Sequence, residues 1–229
     1  MLNPMTSTSN EVRASAQAAL VVGNEFSLAG SQSGVIATEF SYKKDEEIYG
    51  EDESAEFVYQ VVRGAVRTYK LLSDGRRQIG AFHLPGDVFG LDHGAKHSLT
   101  AEAILDTTVR LVKRRSLEAA AGSNVQIAYK LWTLVSGDLK HAEGHMLLLG
   151  RKTAIEKVAA FLLEMDKRLA ITGMLALPMC RRDIGDYLGL TLETVSRALS
   201  QLNDQGILGF SGARQITLRN RQRLANINA

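Results

Sequence analysis

The segment from Arg181 to Ser200 constrains the fold more than any other part of the sequence. Its apolar residues are spaced as two short helices crossing at a wide angle require. Gly185 would let the helices approach each other closely, and Gly189 would permit a tight turn between them. The apolar contacts would come from Ile184, Leu188, Leu190, Val195 and Ala198. The segment therefore predicts a helix-turn-helix.

The second of these helices would present a polar face to solvent. Thr191 is a suitable N-cap, because its hydroxyl can accept a hydrogen bond from an unpaired backbone N–H of the first turn. Glu193 and Arg197, four residues apart, fit an ordinary surface ion pair. On a helix that reads DNA they have a more specific use, since glutamate can accept a bond from cytosine and arginine can donate two bonds to guanine.

We therefore assign two sets of DNA contacts. Base reading is assigned to Leu192, Glu193, Ser196 and Arg197. Phosphate contacts are assigned to Arg181, Thr191, Ser200, Ser211 and Gly212. The last two lie between two strand-like runs, 206–210 and 215–218, which predict a two-stranded wing. The charge distribution agrees with a DNA-binding segment near the C-terminus. Residues 151–229 hold 12 Lys and Arg against 7 Asp and Glu, whereas residues 1–150 hold 15 against 18.

The first half of the chain has a different pattern. Residues 1–22 are rich in Ser, Thr, Asn and Ala without a sustained period, and predict a flexible N-terminal arm. Short alternating runs of Val, Ile, Tyr and Phe follow as far as Arg115, separated by turn signals such as Ser73-Asp74-Gly75. Residues 23–122 are therefore predicted to form an antiparallel β-barrel or roll.

A long helix is predicted within residues 123–150, because an apolar stripe there follows the alternating four-and-three spacing of a heptad. This stripe, the predicted dimer seam, consists of Ala128, Trp132, Val135, Leu139, Ala142, Met146 and Leu149. It can pack on its own barrel or on a second copy of the chain. Its place between two domains favours the second arrangement, so we expect a homodimer whose last domain, residues 151–229, is the winged helix-turn-helix.

Composition limits the number of domains, the cellular location and the kinds of metal or disulfide site that are possible. The 229 residues, 45% of them hydrophobic, suffice for two domains with separate cores. No run approaches the roughly 18 apolar residues that a membrane helix requires, so we expect a cytoplasmic protein with no membrane partner. A single cysteine, Cys180, cannot form a disulfide framework and leaves too few thiolates for an iron–sulfur cluster or a structural zinc site.

From about residue 25 onward the chain resembles the CRP/FNR superfamily of bacterial regulators, and within it the FixK-type branch. The resemblance rests on Leu84-Pro85-Gly86-Asp87-Val88-Phe89-Gly90, on Leu147-Leu148-Leu149, and on residues 185–191 followed by the E-x-x-S-R signature at Glu193, Ser196 and Arg197. It implies an α+β protein with an N-terminal cyclic-nucleotide-binding-like β-roll, a dimerisation helix and a C-terminal winged helix.

The resemblance also implies an operator and a partner. Members of this family read inverted repeats with TTGA-like half-sites, and usually activate genes through contact with RNA polymerase. Leu192 stands where cyclic-AMP-responsive members carry an arginine, so one fewer guanine is expected to be read in each half-site. Those members hold the cyclic phosphate with an arginine, and residues 90–103 contain none, so we expect no cyclic nucleotide and no other cofactor.

Two alternatives from other functional classes stay open at this point. His83, His93 and His97 in a barrel would suit a metal-dependent enzyme, although loop histidines are mostly solvated and no carboxylate stands at a matching spacing. A ligand-free dimeric scaffold is the other alternative. His141 and His145 lie one turn apart on the long helix and are interpreted as exposed flanks of the dimer seam.

Cys180 is a candidate redox site. It precedes Arg181 and Arg182, at the expected start of the first helix of the helix-turn-helix. The helix-turn-helix, residues 181–200, is the reading head of the protein. A helix N-terminus and neighbouring cations favour the thiolate, which is the form that peroxide attacks. The alternative is a small packing residue with no regulatory consequence.

Overall fold

The computed structural model describes residues 35–92, 94–169, 174–212 and 214–228, without the side chain of Arg151. The predicted N-terminal arm, residues 1–22, lies outside these ranges, as do residues 23–34 of the predicted roll, His93 and Ala213. Within the described ranges no helix is long and apolar enough to cross a membrane.

Two four-stranded antiparallel sheets form the N-terminal roll. The strands are β1 (Ala37–Tyr42), β2 (Glu47–Tyr49), β3 (Phe57–Arg63), β4 (Val66–Leu71), β5 (Arg77–His83), β6 (Val88–Phe89), β7 (Thr100–Ala103) and β8 (Thr107–Lys113). One sheet has the order β1-β8-β3-β6 and the other β2-β7-β4-β5. A buried cluster draws on both sheets, for example Val61 with Val66 and Ala101, so the sheets pack face to face.

The hairpin between β4 and β5 turns where the sequence predicted it. Leu71 pairs with Arg77 across the hairpin, and Gly75 has a φ of 81° that a residue with a side chain adopts at a cost. The Asp74 carboxylate accepts a hydrogen bond of 3.0 Å from the Arg76 backbone N–H and fixes the turn.

The long helix is present close to its predicted bounds. A short helix, α1 (Arg114–Ser123), precedes it, and α2 then spans Val125–Arg151. The Asn124 side chain caps α2 by accepting hydrogen bonds from the backbone N–H groups of Gln126 and Ile127. Ile127, Leu131 and Leu134 of α2 pack against the apolar cluster of the roll, which leaves the predicted seam on a different face.

The C-terminal part is a winged helix. Its helices are α3 (Ala154–Leu169), α4 (Arg181–Leu188), α5 (Leu192–Asp204) and α6 (Arg221–Asn228). Its strands are β9 (Met174–Ala176), β10 (Leu208–Phe210) and β11 (Gln215–Leu218), in the order β10-β11-β9. The predicted two-stranded wing is present as the β10–β11 pair, and β9, a three-residue strand far earlier in the chain, adds a third strand on β11.

The roll has buried clusters of its own, but a third cluster is shared with the C-terminal part. Ile79 and Phe82 of β5 belong to the same buried cluster as Phe161 of α3 and Tyr187 of α4. The Phe82 ring centroid lies 5.2 Å from that of Tyr187 and 6.2 Å from that of Phe161. One outer face of the roll is thus part of the core of the winged helix.

Candidate DNA-binding interface

The turn between α4 and α5 is built on two glycines. A Cβ on Gly185 would lie 2.6 Å from the Leu190 carbonyl oxygen, so only glycine fits where the chain passes over α4. Gly189 ends α4 in the left-handed conformation, with φ at 62°. The Leu190 backbone N–H donates to the Gly185 carbonyl at 2.9 Å and closes the turn. The helix-turn-helix prediction is confirmed in this detail.

The second helix, α5, has one buried and one open face. The Thr191 hydroxyl accepts a hydrogen bond of 3.2 Å from the Thr194 backbone N–H, as predicted for the N-cap. Val195 and Leu199 are buried, as expected. Leu192, Glu193 and Arg197 are exposed, and Ser196 is half-buried between them. An exposed leucine at the start of a polar helix face has a use if it packs against a thymine methyl group.

Glu193 is held in its charged form. Its own backbone N–H, the Thr191 hydroxyl and the positive charges of Arg197 and Arg182 together keep the pKa of the Glu193 carboxyl below its usual value. No ion pair joins Glu193 to Arg197 within the described part of the chain, so the simple surface pair is not formed. Both side chains stay available to base edges in a DNA groove.

Arg181, a proposed phosphate contact, is hydrogen-bonded to Ser196, a proposed base contact. Its guanidinium donates to the Ser196 hydroxyl at 3.4 Å and lies over the Phe210 ring, 5.8 Å from the centroid. By sequence, Arg181 is assigned to phosphate and Ser196 to base reading, but the structure brings their side chains together. Arg182, the next residue, is exposed on the same helix. Sequence reasoning used it only as a neighbour of Cys180 and missed it as a phosphate candidate.

The other phosphate candidates lie at the edges of this surface. Thr191 and Ser200 are exposed at the two ends of the open face of α5, and Ser211 and Gly212 are exposed beyond β10 at the wing. Arg214 follows them and donates to the Pro178 carbonyl at 3.1 Å. All four phosphate candidates are therefore accessible, as a contact with the DNA backbone requires.

Cys180 is the N-cap of α4 and forms a capping box with Asp183. The backbone N–H and the thiol of Cys180 both donate to the Asp183 carboxylate, each at 3.0 Å. The sequence pointed to the helix N-terminus and the two neighbouring arginines but not to Asp183, whose carboxylate lies against the sulfur. The thiol is half-buried rather than enclosed.

The predicted dimer seam is exposed over most of its length. Trp132, Val135, Leu139 and Met146 are exposed, although they are large and apolar. Leu149 is different, because it is half-buried and reaches the turn at Gly189. A row of exposed apolar side chains on a 27-residue helix is unfavourable in water unless another surface covers it.

His141 and His145 are not exposed flanks of that seam, and this interpretation was wrong. His145 lies with Nε2 2.8 Å from the Tyr187 carbonyl oxygen, and its ring stacks on Tyr187 at 4.1 Å. His141 Nε2 lies 3.4 Å from the Tyr187 hydroxyl oxygen. Burial is the main cause that lowers the pKa of His145, so it is neutral against its carbonyl partner. These histidines attach the long helix to α4.

Two histidines of the roll, His83 and His97, have structural contacts rather than solvated side chains. His97 is buried and stacks on Tyr49 at 3.6 Å, so the expectation of a solvated loop histidine was wrong here. Its Nδ1 lies 2.8 Å from Asp92 Oδ2. Burial, followed by the charge of Arg168, lowers the pKa of His83 to about 3. Across the described residues no three His, Cys, Asp or Glu side chains group as a metal site would require.

The chain matches two family models, a Crp-like helix-turn-helix domain at residues 156–227 and a cyclic nucleotide-binding domain at residues 39–124. It is 42% identical to the nitrogen fixation regulation protein FixK of Azorhizobium caulinodans, over 91% of this chain and 86% of that protein. It is 41% identical to the transcriptional activatory protein AadR of Rhodopseudomonas palustris, over 76% of this chain and 74% of that protein.

Among solved structures, FixK2 from Bradyrhizobium japonicum is 79% identical in sequence. The match has a TM-score of 0.83 and covers 85% of this chain and 98% of that one. The relatives that share the reading head are transcription regulators rather than enzymes. The chain therefore belongs to the CRP/FNR family of DNA-binding transcription regulators and is of the FixK type.

Proposed function

We propose that the chain is a homodimeric activator that reads an inverted repeat of TTGA-like half-sites with α5. The observation that carries this proposal is the face of α5, where Leu192, Glu193 and Arg197 are exposed and unpaired with each other while Val195 and Leu199 anchor the helix. Two such faces related by a two-fold axis require an operator with the same symmetry. We propose the exposed stripe of α2 as the surface that brings the two copies together.

We further propose that binding needs neither a cyclic nucleotide nor an iron–sulfur cluster. Residues 90–103 hold no arginine for a cyclic phosphate, and the single cysteine cannot ligate a cluster alone. The interior of the roll next to this segment is filled by stacked rings, with Tyr49 3.6 Å from His97 and Phe89 5.2 Å from Tyr59. These residues do not fit a cyclic nucleotide.

The activator role and RNA polymerase as a partner rest on likeness to relatives, one of which is named a transcriptional activatory protein. Such a regulator would act on DNA in the cytoplasm. We also propose that the roll spans residues 23–122, the dimerisation helix residues 123–150 and the winged helix residues 151–229.

The direct test is binding of the purified chain to a duplex carrying an inverted TTGA repeat, with and without added cyclic AMP. We expect tight binding without the nucleotide, a weaker complex on a duplex with scrambled half-sites, and no gain when the nucleotide is added. Binding should also weaken steeply with salt, because phosphate contacts release counterions. A protein that is monomeric at micromolar concentration and binds only after the nucleotide is added would contradict the proposal.

A second prediction concerns oxidation of Cys180. Peroxide that converts its thiol to a sulfinic or sulfonic acid would place an anion 3.0 Å from the Asp183 carboxylate and beside Arg181, which is assigned to phosphate. The new charge repels both the cap of α4 and the DNA backbone. We expect weaker operator binding after peroxide treatment, measured by fluorescence anisotropy.

The matched control for this prediction is Cys180→Ser, which keeps a hydrogen-bond donor to Asp183 and removes the oxidisable sulfur. Its operator affinity should be unchanged by peroxide. Equal loss of affinity in both proteins would place the effect at another residue. Undiminished binding by the oxidised native protein would remove the redox role of Cys180.

A further inference from the structure

Two arginines of the roll bind two aspartates of the reading head. Arg77 of β5 donates to Asp186 from Nε at 2.9 Å and from Nη2 at 2.8 Å, and its Nη2 also lies 2.7 Å from Asp183. Arg67 of β4 donates to Asp183 at 3.1 Å. These residues are more than 100 positions apart in sequence, and both aspartates belong to α4, the first helix of the helix-turn-helix.

Asp183 has two functions at the same carboxylate. One oxygen accepts from the Cys180 cap of α4, and the other accepts from Arg67 and Arg77. Burial acts to raise the pKa of Asp183, but the bonds from Cys180 and the charges of the two arginines outweigh it and hold that pKa below the usual value. The carboxylate is therefore charged at neutral pH, although its side chain is only 3% exposed.

The hairpin also holds the other end of α4. Gln78, next to Arg77, donates its side-chain N–H to the Tyr187 carbonyl at 3.3 Å. On α3, Arg168 donates to the Phe82 carbonyl at 2.9 Å and pairs with Asp87 of the roll. The polar contacts surround the apolar contact of Phe82 with Tyr187. Pairs of this kind specify an orientation, because a buried charge without its partner is costly whereas apolar surfaces can slide.

The reading head also contacts the long helix directly, through the stack of His145 on Tyr187 and the approach of Leu149 to the turn at Gly189. Only Lys152 and Thr153 separate the end of α2 from the start of α3, and a two-residue joint leaves several backbone torsions free. The position of α5 relative to the seam of α2 therefore depends on two contacts of α4, the stack of Tyr187 on His145 of α2 and the ion pairs with the β4–β5 hairpin. In a dimer, that position sets the distance and the rotation between the two recognition helices.

We propose that Arg77 and Arg67 are positioning residues for operator recognition. By locking α4 onto the β4–β5 hairpin they fix the two recognition helices at one separation, so that the dimer selects inverted repeats by the length of the spacer between half-sites. One base pair added to the spacer rotates a half-site by about 35° and moves it about 3.4 Å. Recognition helices held at one separation cannot then contact both half-sites fully. This inference rests on the proposed function as a dimeric reader of inverted repeats.

The test compares operators that share the same half-sites and differ only in spacer length, by one or two base pairs in either direction. We expect the native protein to bind its best spacer about tenfold or more tightly than its neighbours, since a single mismatched recognition step costs about that much. Arg77→Asp should lower affinity for the best spacer and reduce the preference to about threefold or less. The charge swap, Arg77→Asp with Asp186→Arg, should restore part of the preference, because the new carboxylate regains a partner at position 186 but still faces Asp183.

Two controls separate positioning from general damage. Arg76→Asp changes the neighbouring arginine of the same hairpin, whose side chain is 78% exposed and pairs only with Asp74 within the hairpin. It should leave spacer preference unchanged. The double variant Arg77→Gln with Asp186→Asn removes both charges of the ion pair without creating a repulsive pair between them. It replaces Arg77→Asp in the same measurements if the charge reversal disturbs folding. Asp183 is left intact because it caps α4.

Hydrogen exchange of the DNA-free protein reports on the docking itself. Amides of β5 and α4 should exchange faster in Arg77→Asp than in the native protein, and the charge swap should slow them again. A native spacer preference in Arg77→Asp, or exchange that does not change, would overturn this inference and leave the proposed function standing. A native protein that binds no inverted repeat at any spacer length would overturn the proposed function, and the inference with it.

Discussion

Glutamate at both Trp132 and Leu139 should give a folded monomer that no longer binds its operator tightly. These side chains are 69% and 61% exposed in the single chain, so neither is needed for the fold of one copy. They lie seven residues apart on one face of α2 and would meet their counterparts across a two-fold seam. Four unpaired carboxylates buried in that seam would cost several kcal/mol, which weakens dimerisation roughly 1000-fold or more.

Sedimentation over a range of protein concentrations measures this effect, and operator binding at the same concentrations should fall with it. The matched control is Gln126→Glu with Thr133→Glu, which adds two carboxylates with the same seven-residue spacing at exposed positions of α2 outside the predicted seam. The control should stay dimeric. A seam variant that sediments as a dimer at micromolar concentration would show that the two copies meet elsewhere.

The parts of the molecule that the sequence predicted well are those determined by short-range geometry. Gly185 must be glycine because a carbonyl five residues later passes 2.6 Å from where its Cβ would lie, and Thr191 caps a helix that begins at the next residue. The turn at Asp74 and Gly75 is equally local. Each depends on a few consecutive residues, so a single sequence contains what is needed to recognise it.

Contacts between distant segments were not predicted in the same way. His145 has the spacing of a surface residue on α2, and only the position of Tyr187, 42 residues later, makes it part of a packed stack. Arg77 in a hairpin and Asp186 in a helix are ordinary solvated charges in a sequence until the two segments meet. Burial of charged and polar side chains depends on the arrangement of elements, and periodicity does not report it.

If the open face of α5 reads the bases, as proposed, Arg197 should carry the largest share of that selectivity. It is exposed and makes no ion pair with Glu193 in the described part of the chain, so it is available for a bidentate contact with guanine. Arg197→Ala should cost roughly 1 to 3 kcal/mol in each half-site and should relax discrimination at one guanine. Because a dimer reads two half-sites, the loss applies twice to the whole operator.

Arg181→Ala is the comparison for this last prediction, because its assigned partner is a phosphate. It should weaken binding to all sequences alike and lower the salt dependence of binding, with a second-order effect through the Ser196 hydroxyl that Arg181 contacts. Competition against operators changed one base at a time distinguishes the two variants. If Arg197→Ala kept the native order of preference among those operators, the guanine would have to be read by another side chain, and the exposed face of α5 would serve for affinity rather than for specificity.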